Sequence, residues 1–158
     1  MVISHPSNTG KPLLALFDRH SKNKSMLEID DTIELKTNSE TERLSFAVRY
    51  LVQLNFTFDL TVLSNGFSGT SHFCVRRDQL EKMCADLTNM HLTLSGTTHL
   101  EDNDSDGFVK FEIESNGRLK VMGQVGGTHE NHFVNFKFQT DQTAIPFFVH
   151  DFKLLLEN

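Results

Sequence analysis

The chain has 158 residues, about one ordinary domain's worth and enough to bury a core. With 38% apolar residues and no long apolar run, wholesale disorder and a membrane span are both disfavoured. Lys and Arg number 15 against 21 Asp and Glu, and the resulting net charge of −6 is a poor basis for nucleic-acid binding, whose affinity rests on neutralising phosphates.

Residues 1–24 read as a mildly basic, partly irregular segment, with Lys11, Arg19, Lys22 and Lys24 against Asp18. The apolar run at residues 13–17 is too short for a signal-peptide core and predicts a strand. Two cysteines, Cys74 and Cys84, do not make a disulfide framework in a chain of this length, so a reduced, cytoplasmic protein is expected. Residues 28–42 reverse the charge, with Glu28, Asp30, Asp31, Glu34, Glu40 and Glu42 against Lys36, and residues 26–35 predict one or two strands.

The strongest periodic signal follows. Leu44, Phe46, Val48, Tyr50, Val52, Leu54, Phe56, Phe58, Leu60 and Val62 occupy consecutive even positions, and polar residues fill most odd ones. Period-two alternation predicts strand with one buried face. The run is too long for one usual strand, so a bend or bulge is expected near residues 50–54. Ser64-Asn65-Gly66 is a hairpin turn signal, and residues 67–75 return beside it.

Asp78 then fits a helix N-cap, and Leu80, Met83, Cys84 and Leu87 form the apolar stripe of one short helix. Strands are expected at residues 92–95 or a little beyond, 108–114, 119–125 and 133–138, with Ser115-Asn116-Gly117-Arg118 as a tight turn. Pro146 belongs in the first turn of a last helix, which favours an N-cap at Gln142 or Thr143 over Asp141. Ile145, Phe148, Val149, Phe152, Leu155 and Leu156 give that helix one broad apolar face, and Phe147 and Leu154 either widen it or form part of a protein contact. There is no internal sequence repeat. The expectation is a single α+β domain over residues 1–158, mainly antiparallel sheet, sandwich-like or strongly curved, with one mid-chain and one C-terminal helix.

Several constellations invite chemistry. Asp102, Asp104, Asp106 and Gly107 give D-x-D-x-D-G, the opening of a calcium loop, but the twelfth position is Ile113 rather than a bidentate Glu. A solvated loop between strands explains it better, and a negative rim facing a partner is the functional alternative. His129 and His132 stand three apart at a turn rather than four apart on a helix, which disfavours a zinc pair. Gly123, Gly126 and Gly127 lack the Lys-Ser/Thr ending and the helix of a phosphate loop. Cys74 near Arg76 and Arg77 has an electropositive setting for a nucleophile, but free cysteines usually pack as small hydrophobes.

Three stretches together carry a resemblance: residues 56–62 leading into Gly66-Phe67-Ser68-Gly69, the helix from Asp78 to Met83, and Gly123 to Gly127 followed by Asn135 to Thr143 opening the last helix. Over residues 54–156 this order resembles the WapI-type immunity proteins of bacterial polymorphic and contact-dependent toxin systems. The resemblance implies a non-enzymatic protein that binds a cognate protein toxin; no cofactor, metal, nucleic-acid partner or membrane partner is expected, and the sequence does not set the oligomeric state. An acidic inhibitor suits a basic toxin surface, because charge complementarity raises association rate and selectivity. The candidate partner-binding residues are Glu101, Asp102, Asp104 and Asp106, with the 28–42 acidic stretch second. The competing readings are a small metal-dependent or hydrolytic enzyme using His129, His132 and a carboxylate, and a calcium-dependent ligand-binding β domain.

Overall fold

Parity decides how the long alternating run folds. The computed structural model describes residues 31–129 and 131–158. The strand expected at residues 13–17 and the first part of the 26–35 segment lie outside them. The run becomes a hairpin of β2 (Glu42–Val52) and β3 (Asn55–Ser64), turned by Gln53 and Leu54 alone. A two-residue turn closing on Val52↔Asn55 sets even residues of one strand opposite odd residues of the other. That register would put the apolar residues of the two strands on opposite faces. A β-bulge between Val48 and Tyr50 restores the match, so that Leu44 lies opposite Val62, Phe46 opposite Leu60 and Val48 opposite Phe58.

The bulge has a second effect. Beyond it the inward set passes to Leu51, and Tyr50, Val52 and Leu54 are 48%, 56% and 66% exposed. The expectation that every even residue of the run is buried is therefore corrected at the hairpin tip. The even residues Leu44, Phe46, Phe56, Phe58, Leu60 and Val62 are all buried.

β1 (Thr32–Leu35) and β4 (Phe67–Arg76) complete a four-stranded antiparallel sheet of order β1-β2-β3-β4. Asn65 and Gly66 both take positive φ at the β3–β4 turn, the backbone that a tight hairpin of matching twist requires. α1 (Arg77–Thr93) follows directly. Its N-cap is Arg76, whose N–H donates to Gln79 Oε1, and Asp78 sits in the first turn holding the Arg76 guanidinium. The helix buries the expected stripe and adds Met90. It therefore runs through Leu92, so no strand occupies residues 92–95. Leu94 in the left-handed region and Gly96 at φ +115 end it.

β5 (Gly96–Glu101), β6 (Phe108–Ile113), β7 (Arg118–Val125) and β8 (Val134–Asp141) form a second antiparallel sheet of order β5-β6-β7-β8. Asp141 accepts the Thr143 N–H and caps a single 3-10 turn, and α2 (Ile145–Glu157) begins after it with Pro146 in its first turn. The capping side chain is therefore Asp141, because the inserted turn separates the cap from the proline. Each half of the described chain is thus a four-stranded meander followed by a helix.

α2 joins the halves. It packs against α1 and β1, and its six expected residues are all buried. The Phe148 ring lies 6.0 Å from Phe46 of the first sheet and 5.7 Å from Phe111 of the second. Phe152 meets Phe46, Phe58 and Phe148 edge to face, an arrangement favoured by the ring quadrupole. The Arg77 guanidinium donates to the Leu156 carbonyl, tying the start of α1 to the end of α2. Phe147 and Leu154 do not widen the buried face, since both are exposed.

Candidate functional site

The acidic loop at residues 102–107 connects β5 to β6 and folds back on the edge of β4. Asp102 is only 8% exposed, and its role is internal. Its Oδ1 accepts the Cys74 N–H at 2.9 Å and the Asp104 N–H at 3.1 Å, and its Oδ2 takes the Ser105 hydroxyl. The Asp102 N–H donates to the Gly107 carbonyl, and the Asn103 N–H to the Cys74 carbonyl. The Ser105 hydroxyl oxygen in turn accepts the Gly107 N–H. The loop is held by these bonds. At the twelfth position Ile113 belongs to the core.

The other three carboxylates reach the surface. Glu101 is exposed beside His99, Asp104 is exposed at the loop tip, and Asp106 takes the Thr128 hydroxyl and lies 3.8 Å from His129 Nε2. Two troughs flank the loop. One, of about 390 Å³, runs between the loop and β4, with Asp102, Asp104 and Ser105 on one side and Arg49, Asp59, Thr70, Ser71 and His72 on the other. The second, of about 320 Å³, is lined by residues 103–106 with Gly127 and His129. Asp59 sits between the Arg49 Nε and the His72 Nδ1, so its two oxygens are both engaged. Residues 49, 59 and 72 are absent from the sequence-derived set. Their placement on the wet face of alternating strands was the one available signal.

The second acidic stretch is dispersed. Glu28 and Asp30 lie outside the described residues. Glu34 is 3.7 Å from Arg43, and Glu40 is exposed near the β1–β2 turn.

The surroundings of both cysteines favour the protonated thiol. Burial pushes the partly buried Cys74 thiol above its ordinary value; the Thr57 hydrogen bond opposes this, and the negative charges of Asp104 and Asp102 add to it. The electropositive setting expected from Arg76 and Arg77 does not form, because these side chains pair with Asp78 and Glu81. Cys84 is buried on α1 and pushed up to about 11 by burial. His129 and His132 are both exposed, and among the described residues no group of three or more His, Cys, Asp or Glu is placed to hold a metal. Gly123 is required by packing rather than by phosphate: a Cβ there would stand 2.1 Å from the Phe108 carbonyl oxygen. Gly126, at φ +85, ends β7.

A cavity of about 290 Å³ between α1 and α2, lined by His91, Leu92, Pro146, Val149, His150 and Lys153 among others, lies apart from the acidic loop. Among the described residues no helix is long and apolar enough to cross a membrane.

These features define an α+β protein whose most distinctive surface is an acidic loop braced against a neighbouring sheet. The chain belongs to the WapI-like immunity protein family: the family model described as "Immunity protein WapI-like family" matches residues 31–158. The match begins ahead of β1, so the first two strands, which lay outside the 54–156 resemblance, are part of the family's domain. No curated protein matches the sequence. A solved chain described as "Crystal structures of trypanosoma bruciei MRP1/MRP2" is similar in fold, with a TM-score of 0.50 over 95% of this chain and 96% of that one. At 8% identity the likeness concerns the fold alone.

Proposed function

We propose that this chain is a cytoplasmic immunity protein that neutralises a cognate bacterial toxin by binding one of its domains, without catalysis. The observation that carries this reading is the family match over residues 31–158. The surface supports it. The net charge of −6 and the exposed Glu101, Asp104 and Asp106 suit a basic partner surface, where complementary potentials speed encounter and reject wrong partners. Asp102 holds the loop that presents them, so little ordering is left to occur on binding, which favours affinity. The exposed aromatic side chains, the kind enriched at interface centres, are Tyr50, Phe67, Phe108, Phe133 and Phe147 among the described residues.

The test is co-expression of the full chain with the toxin fragment encoded beside it. Growth restored by this chain, and not by an unrelated immunity protein, is the expected result. Full toxicity in the presence of well-folded, abundant chain would remove the reading.

A further inference from the structure

The first sheet has one edge that is only partly closed. The Cys74 N–H and carbonyl both point away from β3, since they bond to Asp102 Oδ1 and the Asn103 N–H. β3 and β4 pair with no register shift from Asn55↔Arg76 to Ser64↔Phe67. In an antiparallel ladder the backbone groups of alternate residues share a direction, so those of His72, Thr70 and Ser68 also face outward. The acidic loop closes this edge at Cys74 and reaches no further. Along Ser68 to His72, the one bond to these outward groups among the described residues is the Ser71 hydroxyl on the His72 carbonyl, at 3.3 Å. Ser68, Thr70 and His72 are all exposed.

Two other edges have neighbours within the fold. β5 lies beside α1, with the Thr98 hydroxyl bonded to Asp86, and the Lys137 carbonyl of β8 receives the Ser64 hydroxyl. The open stretch of β4 also has a charge. The 390 Å³ trough along it carries the exposed Asp104 at the loop tip, beside Asp59, whose oxygens are held by Arg49 and His72, and the buried Asp102.

We propose that the β4 edge from Ser68 to His72 accepts an extended, basic polypeptide segment as a fifth strand of the first sheet. The proposal rests on the toxin-binding reading for the segment's natural source, a stretch of the cognate toxin. Backbone hydrogen bonds at Ser68, Thr70 and His72, spaced about 6.8 Å apart along the strand, supply register. Asp104, within the acidic balance of the whole chain, supplies selectivity for Lys and Arg side chains. A second copy of this chain brings the same carboxylates to the same edge and is repelled, so the acidic flank guards an edge that would otherwise invite self-pairing.

The experiment measures backbone amide exchange at residues 68, 70 and 72 by NMR on the full chain. Two probes are used: a capped seven-residue peptide alternating Lys and Val with its Glu-for-Lys counterpart, and the cognate toxin domain. The Lys peptide is expected to slow exchange at Thr70 and His72 at least fivefold at saturation, and the Glu peptide to leave it unchanged. The toxin domain is expected to slow the same amides. Thr70→Pro, which deletes an outward N–H and not a β3–β4 bond, should weaken toxin binding at least tenfold, and Thr70→Val less than threefold. Should Thr70→Pro fail to fold, exchange in the wild-type complex decides. Toxin bound with these amides still exchanging freely would overturn the edge proposal and leave the toxin reading standing. The Lys peptide docking here while the toxin fails to bind would do the reverse. No protection from either probe ends the proposal.

Discussion

The backbone N–H of Cys74 and Asp102 Oδ1 are 2.9 Å apart, so a carboxylate that follows the second sheet's first strand closes the last strand of the first sheet. Truncating this side chain strands the Cys74 and Asp104 N–H groups in a poorly hydrated place. Asp102→Ala is therefore expected to cost about 1–3 kcal/mol, the range for unsatisfied buried donors. Asp102→Asn keeps an acceptor for both N–H groups and should cost about 1 kcal/mol or less. Urea denaturation of the two variants checks this; equal losses would show that the accepting oxygen is not what stabilises the loop.

The bulge at Arg49 makes an unusual deletion tolerable. Removing Arg49 leaves Val48↔Phe58 followed by Tyr50↔Thr57, a regular ladder with Leu51 still inward. The expected cost is about 1 kcal/mol or less, near that of losing its half-exposed ion pair with Asp59. Deleting Ser45 instead turns Leu44, now buried, toward solvent, and should cost at least about 3 kcal/mol. Chemical denaturation of the two deletions, compared side by side, reads the difference.

Adjacent residues on α2 should respond in opposite ways. Phe148 is 1% exposed between the two sheets, and Phe147 is 66% exposed. Phe148→Ala is expected to lose about 3–5 kcal/mol, the transfer and cavity cost of a buried ring. Phe147→Ala should stay within about 0.5 kcal/mol. Calorimetric melting of both variants is the measurement.

Charge reversal separates presentation from support in the acidic loop. Glu101→Lys, Asp104→Lys and Asp106→Lys together should slow association with the toxin domain by about tenfold at low ionic strength, with a smaller effect at high salt, where the Debye length is shorter than the loop. Stopped-flow association across a salt series tests it. A rate unchanged at low salt would take this loop out of the interface.

Cys84 gives the fold an alkaline weakness. Its thiol is raised from an ordinary 9.0 to about 11 by burial, so the folded state holds the proton more tightly than the unfolded one. The sign follows from linkage: its contribution is fully present below pH 9.0 and is lost progressively as pH rises toward about 11. Cys84→Ala should therefore show a shallower fall in denaturation midpoint over that window than the parent. Parallel curves would assign the alkaline loss to other groups.

How much of this was legible in the sequence varied with the range of the interaction involved. The α2 face was read in full, because a helical stripe depends on spacing within one segment. α1 was read short, since Met90 extends its stripe by one more step than the residues chosen to define it. Tyr50, Val52 and Leu54 were misplaced for a different reason. The excessive length of the run called for a bend or bulge near residues 50–54, but the register it sets between the two strands, and so which residues beyond it turn inward, is not written in the alternation of one strand. The acidic loop was visible as charge, but the division between a buried Asp102 and an exposed Asp104 depends on Cys74, 28 residues earlier in the chain. Arg49, Asp59 and His72 reach the same trough from three strands and carried no local motif. The meander-and-helix repetition was equally hidden, because the halves share hydrophobic periodicity and not residue identity.

Asp102 also bears on how such a surface changes over generations. With the loop fastened from beneath by one carboxylate and by the small Gly107, whose added Cβ would sit 3.1 Å from Ser105 Oγ and 3.3 Å from the Gln124 carbonyl oxygen, positions 103, 104 and 106 contribute little to the scaffold. A lineage pressed to follow a drifting adversary can rewrite those outward positions one at a time without first repairing its own foundation.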